Sequence, residues 1–258
     1  TLNDEHKYFL QESMRDFKVA GLHLPKDKLD EVNEIRKELS ELENKFAANI
    51  AEDKSSILVD AKDLIGVEER VLSGLEKDGK AFVLKCDYPT YFAVMKDCSV
   101  AKTREKLSKL FNNRAYPENI DLLDKIIEKR HTLAQKLGFE NFAALNINSC
   151  MAKTEKEARK FTMDLVNNVK EKASEEIKTL KKNLPDSVNL TDDGKFEPWD
   201  VVYANNFYKK EHFEVDENEL SEYFPVDKTL KEMLDIYQEF LGLDFVEIKS
   251  RWTWHEDV

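Results

Sequence analysis

The chain has 258 residues, 36% of them charged and 41% hydrophobic, with only 7 glycines and 6 prolines. So few turn-formers exclude an all-β chain and predict long amphipathic helices. A formal net charge of −12 argues against sequence-independent binding of nucleic acid and against an anionic membrane surface, because both need a concentrated basic face. The lysines and arginines are interleaved with acids, the pattern of a solvated helix face. Cys86, Cys98 and Cys150 form no C-x-x-C pair and no disulfide framework, which reads as reduced thiols in a cytoplasmic protein. No apolar run approaches the roughly 18 residues of a membrane span, and no secretory signal pattern opens the chain.

In chain order, Asn3 predicts the cap of a first helix running to about Ala20, with Tyr8, Phe9, Met14 and Phe17 as its expected buried face. Gly21-Leu22-His23-Leu24-Pro25 then combines a glycine C-cap with a proline suited to a first helical turn. The stretch Gly21 to Asp53 is thus a stop, a proline and then a long helix with its stripe on Leu29, Val32, Ile35, Leu39, Leu42 and Phe46, at steps of three and four. Its other face carries Glu31, Glu34, Lys37, Glu38, Glu41 and Lys45, with Glu41 and Lys45 at i,i+4 pairing distance. The stripe requires a partner, and the expected one is another helix of the same lobe, such as Ala158 to Leu184.

Ile57, Leu58 and Val59 predict a short extended piece, and Gly66, Gly74 and Gly79 cut the next stretch into short helices. Ala81-Phe82-Val83-Leu84 predicts a strand. Pro89 starts a short aromatic helix with Tyr91, Phe92, Val94 and Met95. Leu107, Leu110 and Phe111 mark another helix, closed by Pro117, and Ile120, Leu123, Ile126, Ile127, Leu133 and Leu137 the next, ended by Gly138. Thr154 and Glu157 have capping-box spacing and introduce the longest helix, with a stripe on Ala158, Phe161, Leu165, Val169, Ala173, Ile177, Leu180 and Leu184. The polar run from Asp186 to Pro198 reads as a loop, giving a helical lobe over 1–190 and the start of a second helical subdomain over 191–258. In the latter, helices are expected from Trp199 to about Lys210, around Leu220 to Tyr223, and from Asp227 to Leu241. Phe245, Val246, Ile248, Trp252 and Trp254 alternate as a strand pair would.

Motifs for chemistry are sparse. The histidines His6, His23, His131, His212 and His255 are scattered, with no two four apart on a helix. His255-Glu256 could open an H-E-x-x-H helix, but the alternation of Trp252 and Trp254 before it favours an extended stretch. There is no G-x-S-x-G elbow, no Walker loop and no G-x-G-x-x-G turn. Cys86 and Cys150 sit among apolar residues and read as small buried hydrophobes. Two aromatic clusters, Tyr88, Tyr91 and Phe92, and Tyr203, Phe207 and Tyr208, could line a groove, although core packing is the simpler use.

Nine pieces of the chain, in order, resemble the zinc-dependent oligopeptidases of the thimet oligopeptidase, neurolysin and saccharolysin type. They begin at Gly21-Leu22-His23-Leu24-Pro25 and run through Asp87-Tyr88-Pro89-Thr90-Tyr91-Phe92, Phe111-Asn112-Asn113-Arg114, Leu137-Gly138-Phe139-Glu140-Asn141-Phe142-Ala143 and Met151-Ala152-Lys153-Thr154. The likeness continues in Trp199-Asp200, Glu222-Tyr223-Phe224-Pro225-Val226, Tyr237-Gln238-Glu239-Phe240-Leu241-Gly242-Leu243 and Trp254-His255-Glu256-Asp257-Val258. The resemblance implies an all-α fold of long helices with a few short strands, part of a two-lobed peptidase with a deep narrow channel that cleaves short peptides. It also implies a catalytic zinc held by an H-E-x-x-H helix and a later glutamate. In the family that helix lies downstream of the Trp-His-Glu-Asp-Val stretch, so His255 and Glu256 align with a non-catalytic segment.

The expectation is therefore a piece, cut at both ends, of a cytoplasmic zinc oligopeptidase: no catalytic residue and no metal ligand within 1–258, zinc only in the full-length enzyme, and the piece itself inactive. Its expected partners are short peptide substrates and the missing remainder of the same chain, with no nucleic acid and no membrane. The alternative is a non-enzymatic helical scaffold or peptide-binding module that shares the fold.

Overall fold

A seam between two long antiparallel helices organises the computed structural model, which describes residues 2–213, 217–246, 248 and 252–255. Helix α1 is Asp4–Ala20, α2 Lys26–Ala51, α3 Glu69–Gly74, α4 Tyr88–Asp97, α5 Ala101–Asn112, α6 Glu118–Lys136, α7 Phe142–Ile147, α8 Glu155–Lys182, α9 Val201–Phe213, α10 Glu217–Glu222 and α11 Val226–Leu241. Strands β1 Ser56–Val59, β2 Lys77–Asp78 and β3 Ala81–Lys85 make one antiparallel sheet in the order β1-β3-β2. An all-α protein with a few short strands is thus what the composition produces. Two units separate along the chain, Thr1–Asn206 and Phe207–Val258, and residues 191–206 pack with the first.

In the first unit, α2 presents Val32 and Leu39 to Ile126, Leu133 and Ala134 of α6, and Leu137 and Leu145 complete the cluster. Leu24, Ile35, Leu42 and Phe46 pack against its edge. Burying each such side chain contributes about 1.5–3 kcal/mol. Charge fixes the direction and register of the pair. Glu31 meets Lys136, while Glu38 and Glu43 take the adjacent Lys129 and Arg130, so the start of α2 faces the end of α6. At the far end Asn49 donates to the buried Asn119 (2.7 Å), whose own amide reaches the Phe46 carbonyl at 3.0 Å.

The partner of the α2 stripe is therefore α6, another helix of the same lobe as expected, and only the example of the Ala158–Leu184 helix is corrected. Helix α8 has no buried residue, and Phe161, Leu165, Val169 and Ile177 along its stripe are exposed. Period 3.6 identifies a face that wants burial but carries no address for its partner. The stripe on α2 is matched by the shorter connection to α6 and by complementary charges flanking the seam. The expected Glu41–Lys45 pair is not among the described ion pairs, while Glu38 and Glu43 reach across the seam instead.

Helix α1 begins as read, with Asn3 accepting from the His6 amide at 2.8 Å. Its end is a Schellman closure. Gly21, at φ 88°, bonds back to Lys18, and Leu22 to Phe17. Arg36 of α2 then donates to the carbonyls of Ala20 and Val19, both at 2.7 Å, which satisfies two more orphan acceptors. The expected buried face is corrected: Tyr8, Phe9, Met14 and Phe17 are exposed, because α1 is fastened at its C-terminal end and not along its length.

A second core lies under the sheet, where Val59, Phe82 and Leu84 meet Leu64, Val67, Val94, Cys98 and Leu107. Asp87 caps α4 through the Thr90 amide (2.8 Å), with Pro89 in the first turn as predicted. The loop before the sheet core passes so close to α4 that a Cβ on Gly66, at φ +94°, would lie 2.3 Å from the Asp97 carbonyl oxygen. Cys150 is exposed, which corrects its reading as a buried hydrophobe, whereas Cys86 and Cys98 are buried.

In the second unit, Gly242 ends α11. No strand forms among the described residues at Phe245, Val246, Ile248, Trp252 or Trp254, which corrects the expected strand pair. Alternation over so short a stretch supplies no paired edge, and the Phe245 amide bonds instead to the Gln238 side chain at 2.8 Å.

Gly66→Ala is expected to lower stability by about 2–3 kcal/mol, because backbone strain adds to a backbone clash. Gly79→Ala, where a Cβ meets nothing within 4 Å, should cost only about 1 kcal/mol. Equal losses in thermal or urea melts of the two variants would contradict this account of Gly66.

Candidate functional site

Where α2 ends, the chain passes the end of β3 and the start of α4, leaving a half-open recess of about 570 Å³. Ile50, Ala51, Cys86, Tyr88 and Pro89 give it apolar walls, and Asp53, Lys54, Lys85, Asp87 and Arg114 supply its polar groups. The size suits a small ligand.

Arg114 is held in place from several sides. Its Nε donates to the Phe111 carbonyl (3.0 Å) and Nη1 to the Cys86 carbonyl (3.3 Å). Its guanidinium lies 3.7 Å from the Phe111 ring centre, and Phe111 stacks on Tyr91 at 3.8 Å. Tyr88 leans edge-on to the same ring at 5.5 Å. Asp53 faces the other way: one oxygen accepts from the Ser55 amide and the other from the Ala115 amide, both at 2.8 Å. Those bonds to Ser55 and Ala115 hold its carboxyl below the usual range, with a further pull from Arg114. Ala115 sits at φ 57°, a conformation that costs a non-glycine residue about 1–2 kcal/mol, so the bond from Asp53 also helps to hold this turn. Burial pushes the Cys86 thiol up, with Asp53 adding to the rise, which makes it a poor nucleophile at neutral pH. The arrangement can bind but has no activated group for bond-making.

Below the recess a buried ion pair ties distant parts of the first unit together. Arg104 of α5 is 0% exposed. It meets one Asp200 oxygen through Nε (3.0 Å) and Nη2 (2.6 Å), and donates to the carbonyls of Cys98 (2.6 Å) and Ser187 (3.1 Å). Tyr203 covers its face at 4.2 Å. Burial pushes the Asp200 carboxyl up against the opposing pull of Arg104. Breaking such a pair leaves an unpaired buried charge, so its role is to pin the 183–200 segment onto α5.

The candidates read from sequence are distributed unevenly over this geometry. Tyr88 is 59% and Phe92 51% exposed, so core packing is not their use; Tyr88 lines the recess against Phe111 and Arg114, and Phe92 packs on Tyr88 and Tyr91. Tyr203 packs on Arg104, and Tyr208 stacks on His212 at 4.1 Å. His6, His23, His131, His212 and His255 are all exposed, and Glu256 lies outside the described residues. Arg104, Asp53 and Arg114 were missed as site-building residues. Arg104 sits in the run Lys-Thr-Arg-Glu-Lys, which looks like a solvated face. Only Asp200 and Arg114 had any signal, as members of Trp199-Asp200 and Phe111-Asn112-Asn113-Arg114.

Among the described residues, no group of three or more His, Cys, Asp or Glu side chains converges as metal ligands. The side chains at the recess do not fit a catalytic zinc, since its two carboxylates already accept backbone N–H bonds and its cysteine is buried and protonated.

Residues 94–258 match the family model described as peptidase family M3, more than half of the chain. The chain belongs to that family. Relatives similar to this M3 chain include Oligopeptidase A of Escherichia coli (strain K12), 27% identical over 274 residues. Thimet-like oligopeptidase of Dictyostelium discoideum is 29% identical over 267 residues, and the match covers 100% of this chain and 40% of that protein, as it does for Oligopeptidase A. Saccharolysin of Saccharomyces cerevisiae is 31% identical over 263 residues, 97% of this chain and 37% of the relative. The M3 chain thus spans about 40% of the length of the curated relatives it matches.

Asp53→Ala in this M3 chain should cost about 1–2 kcal/mol at pH 7, since two backbone amides lose a charged acceptor. Because folding depresses the Asp53 pKa, its stabilisation is complete above about pH 4 and is lost as pH falls below that range. Paired melts at pH 7 and pH 3 should therefore show a gap that narrows on acidification; a gap that widens would contradict the assignment.

Proposed function

We propose that this chain is a helical, non-catalytic part of a zinc-dependent endo-oligopeptidase that cleaves short peptides in a narrow channel. The observation that carries the reading is the match over nearly the whole chain to about two-fifths of proteins named as oligopeptidases. In this reading the zinc is held by residues outside 1–258. The Trp-His-Glu-Asp-Val stretch is then scaffold in this reading, not the start of a zinc helix.

The chain's contribution is structural. The exposed apolar faces of α8 and, separately, of α11 support the remainder of the same polypeptide as their partner. Faces of this size on a solitary domain would be an aggregation liability. No described helix is long and apolar enough to cross a membrane. Three free cysteines support a cytoplasmic location.

The chain incubated with zinc and a fluorescence-quenched short peptide should show no chelator-sensitive turnover. Hydrolysis that is abolished by a chelator and restored by zinc would overturn the proposal.

A further inference from the structure

Charge at the recess runs against the rest of the molecule. The chain carries a net −12, yet the recess is lined by Lys54, Lys85 and Arg114 against Asp53 and Asp87. Both carboxylates are already engaged by backbone amides, Asp53 by Ser55 and Ala115, Asp87 by Thr90. Both keep their charge, and Asp53 draws on Arg114, but part of their hydrogen-bonding capacity is already taken. On the other side of the balance, Lys85 is paired with Glu76. Lys54 has no partner among the described hydrogen bonds and ion pairs, and Arg114 has none for Nη2, since its Nε and Nη1 take the bonds to Phe111 and Cys86. The N-terminal turn of α4, through Tyr88 and Pro89, opens onto the same space and adds the positive end of its dipole.

We propose that this recess binds the C-terminal carboxylate of a short peptide whose last side chain is apolar or aromatic. The free Nη2 edge of Arg114 and the Lys54 ammonium supply charge-assisted donors to the carboxylate. Ile50, Ala51, Pro89 and the Tyr88 ring receive the side chain. Arg114 is held by Phe111 before any ligand arrives, so little conformational freedom is lost on binding. A single free guanidinium edge among mostly apolar walls favours a monocarboxylate with a hydrophobic body over a hydrated dianion such as phosphate. That the carboxylate belongs to a peptide rests on the peptidase reading; the carboxylate chemistry itself does not.

Isothermal titration of the chain with N-acetyl-L-phenylalanine, its amide and inorganic phosphate tests this. The acid should bind one to one, and the amide roughly tenfold or more weakly, because it loses the charge-assisted bonds. Lys54→Gln, an exposed change without a described partner to disturb, should weaken the acid several-fold at unchanged melting temperature. Arg114→Lys should weaken it further, and if that variant fails to fold, Lys54→Gln decides. Equal affinity for acid and amide, phosphate binding tighter than the acid, or no effect of Lys54→Gln would each overturn the proposal. The titration needs no turnover. Acid binding by this chain, with no hydrolysis by any longer polypeptide containing it, would retain the site and remove the peptidase reading; hydrolysis without acid binding would do the reverse.

Discussion

The antiparallel seam between α2 and α6 is the constraint on which the first unit depends. Val32, Leu39, Ile126, Leu133 and Ala134 exclude water from it, and three flanking ion pairs join acids of α2 to bases of α6. Exposed pairs of this kind contribute little each, on the order of 0–1 kcal/mol. Their value here is register, because a shift along the seam would part each acid from its base. The seam also positions groups at its ends. Arg36 projects from α2 to close the carbonyls at the end of α1, and the last turn of α2 delivers Ile50 and Ala51 to the recess.

A second fixture, Arg104 with Asp200, holds the far side of the first unit. A fully buried guanidinium is tolerable only because an oxygen of Asp200, two carbonyls and the face of Tyr203 all serve it. Replacement by a hydrophobic pair of similar volume could be as stable, so the pair's contribution lies in specifying where the 183–200 segment docks. Between these fixtures the recess is shaped entirely by groups with other duties: caps, helix ends and a turn at Ala115. That is how a binding surface can arise without a motif.

Local chemistry in the sequence foretold the local structure well. Asn3 and Thr154 cap the helices their spacing predicts, Pro89 sits in the first turn of the helix it is expected to start, Gly21 takes the left-handed conformation its place requires, and Ala81–Leu84 forms a strand. Each of these depends on residues within a few positions of one another. Pairing was another matter, since the stripes of α2 and α8 look alike in sequence, yet α2 is covered by α6 and α8 is bare. Nothing in a helical period encodes which stripe meets which. The site failed for the same reason. Asp53, Cys86 and Arg114 are far apart in the chain, and a lone arginine after a helix carries no mark of the aromatic shelf that will hold it. Resemblance to the oligopeptidases picked out Arg114 and Asp200 as members of matching pieces without saying what they do.

Peptidase family M3 membership gives the chain its setting, and the part proposed for it there is a non-catalytic helical scaffold with bare faces on α8 and a small recess at the end of α2. The most direct measurement of that central claim is zinc stoichiometry. After equilibrium dialysis of the purified chain against micromolar zinc, metal counted by atomic emission should be well below one ion per chain and should leave the melting temperature unchanged. One tightly held zinc per chain, with a melting temperature that rises on binding, would contradict the account.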